Sequence, residues 1–358
     1  MNMSDTIIKL LQKMIEIPSL SREELEVAGA IRNFLLKRNI PYETRLNNTW
    51  CYNKNFHPER PTILLNSHID TVRPNTNWKT NPYDARIENG KLFGLGSNDA
   101  GGALVCLLGA FLHFYEADEL PFNLLFAATA EEEISGKNGI ELIQDITQKC
   151  AFALVGEPTE LNMAIAEKGL MVVDGVVTGK SGHAARDEGD NAIYLALKDI
   201  AFFKNYQFPK QSETLGNLKM SLTVIQAGTQ HNVVPGSCQY TVDIRMIPEY
   251  NFQEVLDVIQ PQINGILTPR SMRLKPSFLP QQHILHIIAQ ELNIPTFGSS
   301  TLSDQALLNI PSVKIGPGKS ERSHTAEEFI YLSELHDGLE TYKKIISSLK
   351  NHIGKQNN

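Results

Sequence analysis

Four short apolar runs in this sequence are each followed by side chains that bind metal ions or move protons. Thr62-Ile-Leu-Leu-Asn leads into Ser67-His68-Ile69-Asp70, and Asn123-Leu-Leu-Phe-Ala-Ala into Thr129-Ala130-Glu131-Glu132-Glu133. Ala151-Phe-Ala-Leu-Val leads into Gly156-Glu157-Pro158, and the run at Ser312 passes through Gly316-Pro317-Gly318 to His324. Asn98-Asp99 opens a glycine-rich apolar stretch. Singly, each has a structural explanation: a histidine after a strand is commonly a hydrogen-bonded surface residue, glutamates in a first helical turn favour the dipole, and Gly-Glu-Pro makes a turn. In open α/β sheets, however, ligands bind just beyond the carboxyl ends of the strands. Imidazoles and carboxylates at all four ends therefore point to one metal site built from both.

The elements that must carry these residues read as an α/β fold. Asp5 to Glu16 has apolar residues at helical spacing, Pro18 ends it, and a second helix opens at Ser21 and runs to about Arg38. The four apolar runs read as buried parallel strands, separated by helices at Ala100 to Glu116 and about Asn138 to Thr147. Between Glu167 and Ser277 the rhythm changes. Alternating strands are expected at Leu170 to Thr178, Leu218 to Gln226, Ser237 to Met246 and Ser271 to Lys275, with helices at Asn191 to Tyr206 and Phe252 to Leu267. That β-α-β-β-α-β order is ferredoxin-like. Parallel-type runs resume afterwards, so residues 167–277 read as an α+β domain inserted into a catalytic domain of 1–166 and 278–358. The tail after Asn351 reads as frayed.

Composition sets the boundaries of function. A chain of 358 residues, 42% hydrophobic and 20% charged, is an ordinary globular protein of two domains. The net charge of -7 and the absence of a long basic run argue against nucleic acid as a partner. Ala100 to Tyr115, the longest uncharged apolar stretch, is shorter than the roughly 18 to 20 residues of a membrane span. The N-terminus has no basic segment followed by an apolar one, so a cytoplasmic protein is expected. Cys51, Cys106, Cys150 and Cys238 lie far apart and read as reduced, mostly buried thiols.

In order along the chain, the motifs Ser67-His68-Ile-Asp70-Thr, Gly94-x-Gly-x-x-Asp99, Thr129-Ala-Glu-Glu132-Glu133, Gly156-Glu157-Pro-Thr, Gly179-x-x-Gly-His183-Ala and Ser323-His324 resemble those of the M20 family of dinuclear zinc amidohydrolases. Within that family the chain is similar to the acetylornithine deacetylase and succinyl-diaminopimelate desuccinylase group. The resemblance implies a zinc-peptidase-like catalytic domain with a mostly parallel central sheet. It implies two divalent metal ions per chain, zinc with cobalt as the alternative. His68 and Glu157 hold one ion, Glu133 and His324 the other, and Asp99 bridges both, leaving coordination open for a water. Asp70 fixes the His68 tautomer, and Glu132 is the general base. A cis peptide between Asp99 and Ala100 also follows from the resemblance, and Glu131 has no catalytic role.

The same resemblance assigns three residues of the inserted domain. His183 reaches across a homodimer formed through that domain to stabilise an oxyanion in the partner's site. Asn232 and Arg245 hold the substrate carboxylate, Arg245 by its fork; a surface ion pair is the structural alternative for Arg245. The expected activity is hydrolysis of the N-acyl amide of a small amino acid, N-acetyl- or N-succinyl-L-ornithine, in arginine biosynthesis. Rival activities are succinyl-diaminopimelate desuccinylase, acetylcitrulline deacetylase and di- or tripeptidase. An inactive metal-binding module that only holds ligands is the rival of another class, and the intact Glu132 argues against it. Leu95 stands where many relatives have Arg, and the 299–305 segment departs from the family's Gly-Gly-Thr-Asp. Thr301, Ser303 and Asp304 are specificity candidates there. An ornithine ammonium is expected to meet Asp304 or Glu321, and a succinyl tail Lys180, Lys319 or Arg322.

Overall fold

The computed structural model describes residues 2–118, 120–186 and 188–356. The chain divides into two compact units, Met1–Ile165 with Phe278–Phe297 and Ser303–Asn358, and Ala166–Ser277 with Gly298–Leu302. The first unit opens on helix α1 (Met3–Ile15), capped by the Asn2 side chain, which accepts the Asp5 N–H at 2.7 Å. Helix α2 (Leu25–Leu36) starts four residues later than Ser21. The cause is local: Leu20 bridges Thr71 in parallel, and Arg22 takes a left-handed φ of 78° that no helix accommodates.

Strands β1 (Asn48–Tyr52) and β2 (Thr62–His68) follow, then helix α3 (Gly102–Phe114), β3 (Asn123–Thr129) and β4 (Phe152–Val155). β2 lies parallel to both β3 and β4, with His68 opposite Thr129, while β1 runs antiparallel on the outside of β3. Ile63, Leu64 and Leu65 are buried in succession because helices or loops cover both faces, which explains their unbroken apolar run. The helix expected at 138–147 is instead a 3-10 turn, Ile140–Ile143, and a single α turn, Gln144–Thr147.

The second unit contains β5 (Gly169–Thr178), α4 (Ala192–Asn205), β6 (Lys219–Ala227), β7 (Ser237–Met246), α5 (Phe252–Ile259) and β8 (Ile266–Pro269). Its sheet is antiparallel in the order β6-β7-β5-β8, so consecutive β-α-β halves interleave as in a ferredoxin-like fold. Two boundaries differ from expectation. Pro261 lacks an N–H to extend α5, which tightens into a 3-10 turn, Gln260–Gln262. The final strand is therefore Ile266–Pro269, and from 271–275 only Leu274 bridges Leu170. The buried Asp199 carboxylate ties this unit together, accepting from the Tyr240 hydroxyl and the Asn264 and Gly265 N–H groups at 2.7–2.9 Å.

Back in the first unit, β9 (Ser312–Lys314) adds parallel to β4, giving the order β1-β3-β2-β4-β9. Helix α6 (Leu332–Gln356) packs Leu335 and Leu339 on α3 and continues past Asn351, where fraying was expected. The four cysteines are buried and unpaired. Among the described residues, no helix is long and apolar enough to cross a membrane.

Candidate active site

Polar side chains stand at or just beyond the carboxyl ends of the parallel strands, and they converge because the strands point the same way. His68 is the last residue of β2 and is 1% exposed. Its Nδ1 is 2.9 Å from the main-chain oxygen of Asp70 and 3.5 Å from the Asp70 carboxylate. The carbonyl is thus the nearer partner that fixes the Nδ1–H tautomer and leaves Nε2 as the acceptor. That Nε2 atom is buried without a hydrogen-bond partner. Around it stand carboxylate oxygens of Asp99 at 3.4 Å, Glu132 at 3.9 Å and Glu157 at 3.9 Å.

The second imidazole arrives on a loop. His324, at a left-handed φ of 61°, has Nε2 at 2.9 Å from Glu133 and 3.5 Å from Asp99. Asp99 therefore turns Oδ1 to His68 and Oδ2 to His324. A shared carboxylate between two imidazoles, with Glu157 on one side and Glu133 on the other, is the donor set of a cation pair. Ligand-type atoms of His68, Asp99 and Glu133, and those of His68, Glu132 and Glu157, each lie within 4.8 Å of one another. The residues present therefore fit divalent cations: an orphaned buried Nε2 faces a crowd of carboxylates.

The electrostatics carry the same message. Burial, then the charge of Asp99, pushes Glu157 up to about 8 against the pull of His68. Burial lifts Glu132 well above the carboxylate range; His68 opposes this, whereas Glu157, Asp304 and Glu133 add to it. For Asp99 burial works upward, yet the hydrogen bond and charge of His68, with Ser323 and His324, hold its carboxyl below the ordinary value. The hydrogen bond to Glu133 raises His324 to about 9.

Two carboxylates behind these residues set their positions. Asp70 is buried, and its oxygens accept the N–H groups of Glu132 at 3.0 Å and Glu133 at 3.1 Å and the Ser21 hydroxyl at 2.7 Å. Its carboxylate thus grips the Glu132–Ile134 turn, a contact that spacing along the chain does not reveal. Glu328, 1% exposed, escaped the sequence reading altogether. It accepts the N–H groups of Gly96, Asn98 and Asp99 at 3.0, 2.8 and 2.9 Å and so frames the turn that presents Asp99. The Asp99–Ala100 peptide in that turn is cis, as the resemblance implied. The only sequence signal for Glu328 is an acidic pair three and four residues beyond His324, a pattern common on surfaces. Glu131 is structural: at φ 54° its carboxylate accepts from the Asn138 N–H and amide.

Several specificity candidates are placed differently from expectation. Asp304 is 3% exposed and accepts from the Thr129 hydroxyl at 2.8 Å and the Asn66 amide at 3.1 Å. It braces the ends of β2 and β3 and is not presented to solvent. Ser303 is buried and caps the following turn. Lys319 pairs with Glu160 at 2.8 Å, and Arg322 forks Glu334 at 2.7 and 3.1 Å while stacking on Phe329. Both cations are committed within the fold.

In the second unit, His183 pairs with Val233 in a short antiparallel ladder, and the Asn232 carbonyl accepts the Ala184 N–H. His183 and Asn232 are therefore neighbours, and the His183 ring accepts only the Ala185 N–H among the described contacts. Arg245 on β7 donates from Nε and Nη2 to Asp243 at 2.8 and 3.1 Å, the ion pair named above as its alternative, with Nη1 left over.

The sequence profile of Peptidase family M20/M25/M40 matches residues 64–348. Acetylornithine deacetylase of Buchnera aphidicola subsp. Schizaphis graminum is 25% identical over 378 residues, covering 96% of this chain and 98% of that protein. Two crystal structures share the fold. A tripeptidase from Staphylococcus aureus superposes with a TM-score of 0.78 at 19% identity, over 97% of this chain and 99% of that one. A dinuclear metal binding peptidase of the M20 family from Bacillus subtilis gives 0.75 at 16% identity, over 98% of each chain.

Proposed function

The chain belongs to peptidase family M20/M25/M40 and is a hydrolytic enzyme, and on that footing we propose that it cleaves the N-acyl amide of a small amino acid, N-acetyl- or N-succinyl-L-ornithine. The observation that carries this reading is the Asp99 carboxylate divided between two imidazoles, with Glu132 beside one of them. His68 and Glu157 on one side, Glu133 and His324 on the other, and Asp99 between them would hold the divalent cations; nitrogen and oxygen donors suit zinc, and cobalt fits the same set. Cations bound there lower the pKa of a water and polarise the amide carbonyl.

The remaining work falls to side chains. Glu132, held through its own N–H by Asp70, takes the proton of the attacking water and returns it to the departing nitrogen. Arg245, through Nη1, and Asn232 hold the substrate's α-carboxylate. His183 donates to the oxyanion in the site of a partner subunit.

A homodimer through the inserted domain is supported by what that domain leaves uncovered. β6 is an edge strand with Val224 and Ile225 each 46% exposed, and α4 presents Tyr194 at 71% and Leu197 at 56%. An unpaired strand edge beside apolar side chains is a template for a second copy. Buried, unpaired thiols support a cytoplasmic setting. The deciding assay is amine release by zinc-loaded protein from N-acetyl- and N-succinyl-ornithine, succinyl-diaminopimelate, acetylcitrulline and unblocked di- and tripeptides. Acyl-ornithines should give the highest kcat/KM; faster cleavage of succinyl-diaminopimelate or of free peptides would overturn the substrate assignment.

A further inference from the structure

A cavity of about 370 Å³ lies beside Glu133 in the first unit, walled by residues 20–23, 71–73 and 133–134. Its size falls in the range of roughly 300–1,000 Å³ usual for small-molecule sites. Two guanidiniums line it, Arg22 and Arg73. Among the described residues, neither guanidinium makes a hydrogen bond, and neither has a carboxylate oxygen within 4.0 Å. Three other arginines of this unit are paired with acids: Arg45 with Asp145, Arg86 with Glu327 and Arg322 with Glu334. Glu23 and Glu133 are the acidic residues of the lining, and Glu133 is engaged by His324.

The walls that carry the two arginines are tied to the catalytic groups. Ser21 donates to Asp70, and the Thr71 N–H donates to the Ser19 carbonyl at 2.8 Å, joining the two segments. Arg22 is kept at φ 78°, with its N–H donating to Glu24 at 2.6 Å. A side chain other than glycine is disfavoured in that region, and the surrounding bonds enforce the conformation. Arg73 precedes Pro74, which restricts its backbone to extended conformations. Two unpartnered forks on restrained backbone are suited to a carboxylate, which guanidinium binds by paired N–H bonds.

We propose that this cavity is a carboxylate subsite: with the scissile amide at the acidic cluster, Arg22 and Arg73 hold the distal carboxylate of the acyl group, so the preferred substrates are half-amides of a short dicarboxylic acid such as succinate. The inference rests on the N-acyl hydrolase reading above and narrows it. It also supplies the cations that Lys319 and Arg322, committed to Glu160 and Glu334, do not.

The test is the ratio of kcat/KM for N-succinyl- over N-acetyl-ornithine in wild type, Arg73→Ala, Arg22→Ala and the double variant. Wild type should favour the succinyl substrate, and each single loss should lower the ratio about tenfold or more, since a charged hydrogen bond is removed. Arg73→Lys should recover part of it. A ratio within about threefold of wild type in the double variant overturns the subsite. So does a loss that follows a carboxylate on the amine side, compared with N-acetyl-glutamate against N-acetyl-glutamine. Calorimetric binding of free succinate, with acetate as control, reads the cavity without turnover. It should be present in wild type and absent from the double variant, and equal binding by both overturns the proposal. Failure of wild type to cleave either acyl amide would instead refute the N-acyl reading, while the succinate measurement still reports on the cavity.

Discussion

Replacing Asp70 by Asn separates two roles that this residue combines. Its carboxylate grips the N–H groups of Glu132 and Glu133, whereas its main-chain oxygen, 2.9 Å from His68 Nδ1, is the nearer partner of the imidazole. Asn keeps the size and the main-chain oxygen but has one acceptor oxygen; its NH2 group must face an N–H or the Ser21 hydroxyl. At least one charged hydrogen bond to the turn is lost, worth about 1.5–3 kcal/mol. At about 1.4 kcal/mol per decade, kcat should fall by roughly 10- to 150-fold if that energy positions the Glu132 carboxylate in the transition state. Burial would raise the pKa of Asp70, but the hydrogen bond and charge of His68, with Ser21, hold it below the usual value. The wild-type grip is therefore ionised across the working range. The assay is kcat and KM on the best N-acyl substrate, together with metal per chain by elemental analysis. Full metal occupancy with reduced kcat is expected. Loss of metal with unchanged turnover per bound metal would refute the argument and make the carboxylate's main task the orientation of His68.

Other consequences are open to measurement. Glu132→Ala should lower turnover at least about 100-fold with metal content near normal, whereas Glu133→Ala should lower metal occupancy; exchanged phenotypes would shift the register by one residue. Glu328→Ala strands three buried N–H groups and should weaken metal binding about tenfold or more, read by competition with a chromogenic chelator, and unchanged affinity would remove its positioning role. In metal-free protein Glu157 is raised from 4.5 to about 8 and His324 from 6.5 to about 9, so the folded state holds protons that the unfolded state releases. Stability should then fall as pH rises through those windows, His324 contributing less because it is half exposed; a Tm that rises between pH 5 and 9 would contradict this. Mixed Glu132→Ala and His183→Ala chains should regain activity through heterodimers holding one site with both residues, and continued inactivity after proven subunit exchange would place His183 outside the partner's chemistry.

The α/β class and the groups at the strand ends were legible in the sequence for one physical reason. A strand buried on both faces must be apolar along its length, so Ile63-Leu-Leu and Leu124 to Ala128 stand out, and the polar residues that follow mark the ends where a parallel sheet gathers ligands. The strands of the second unit were legible from period-two alternation, although the end of α5 and the start of β8 shifted because Pro261 outweighed the apolar pattern. Contacts between distant segments were not legible. Asp70 reaching the N–H groups of Glu132 and Glu133, Glu328 closing on the Asp99 turn, and Asp304 sinking beneath β2 and β3 are choices among carboxylates of similar local sequence. A buried acid becomes tolerable only where the fold supplies donors to it, and those donors are main-chain N–H groups that every residue possesses. The sequence by itself determined which chemistry the strand ends carry; the tertiary structure decided which acids are ligand-type, which are scaffold, and which arginines remain unpaired beside them.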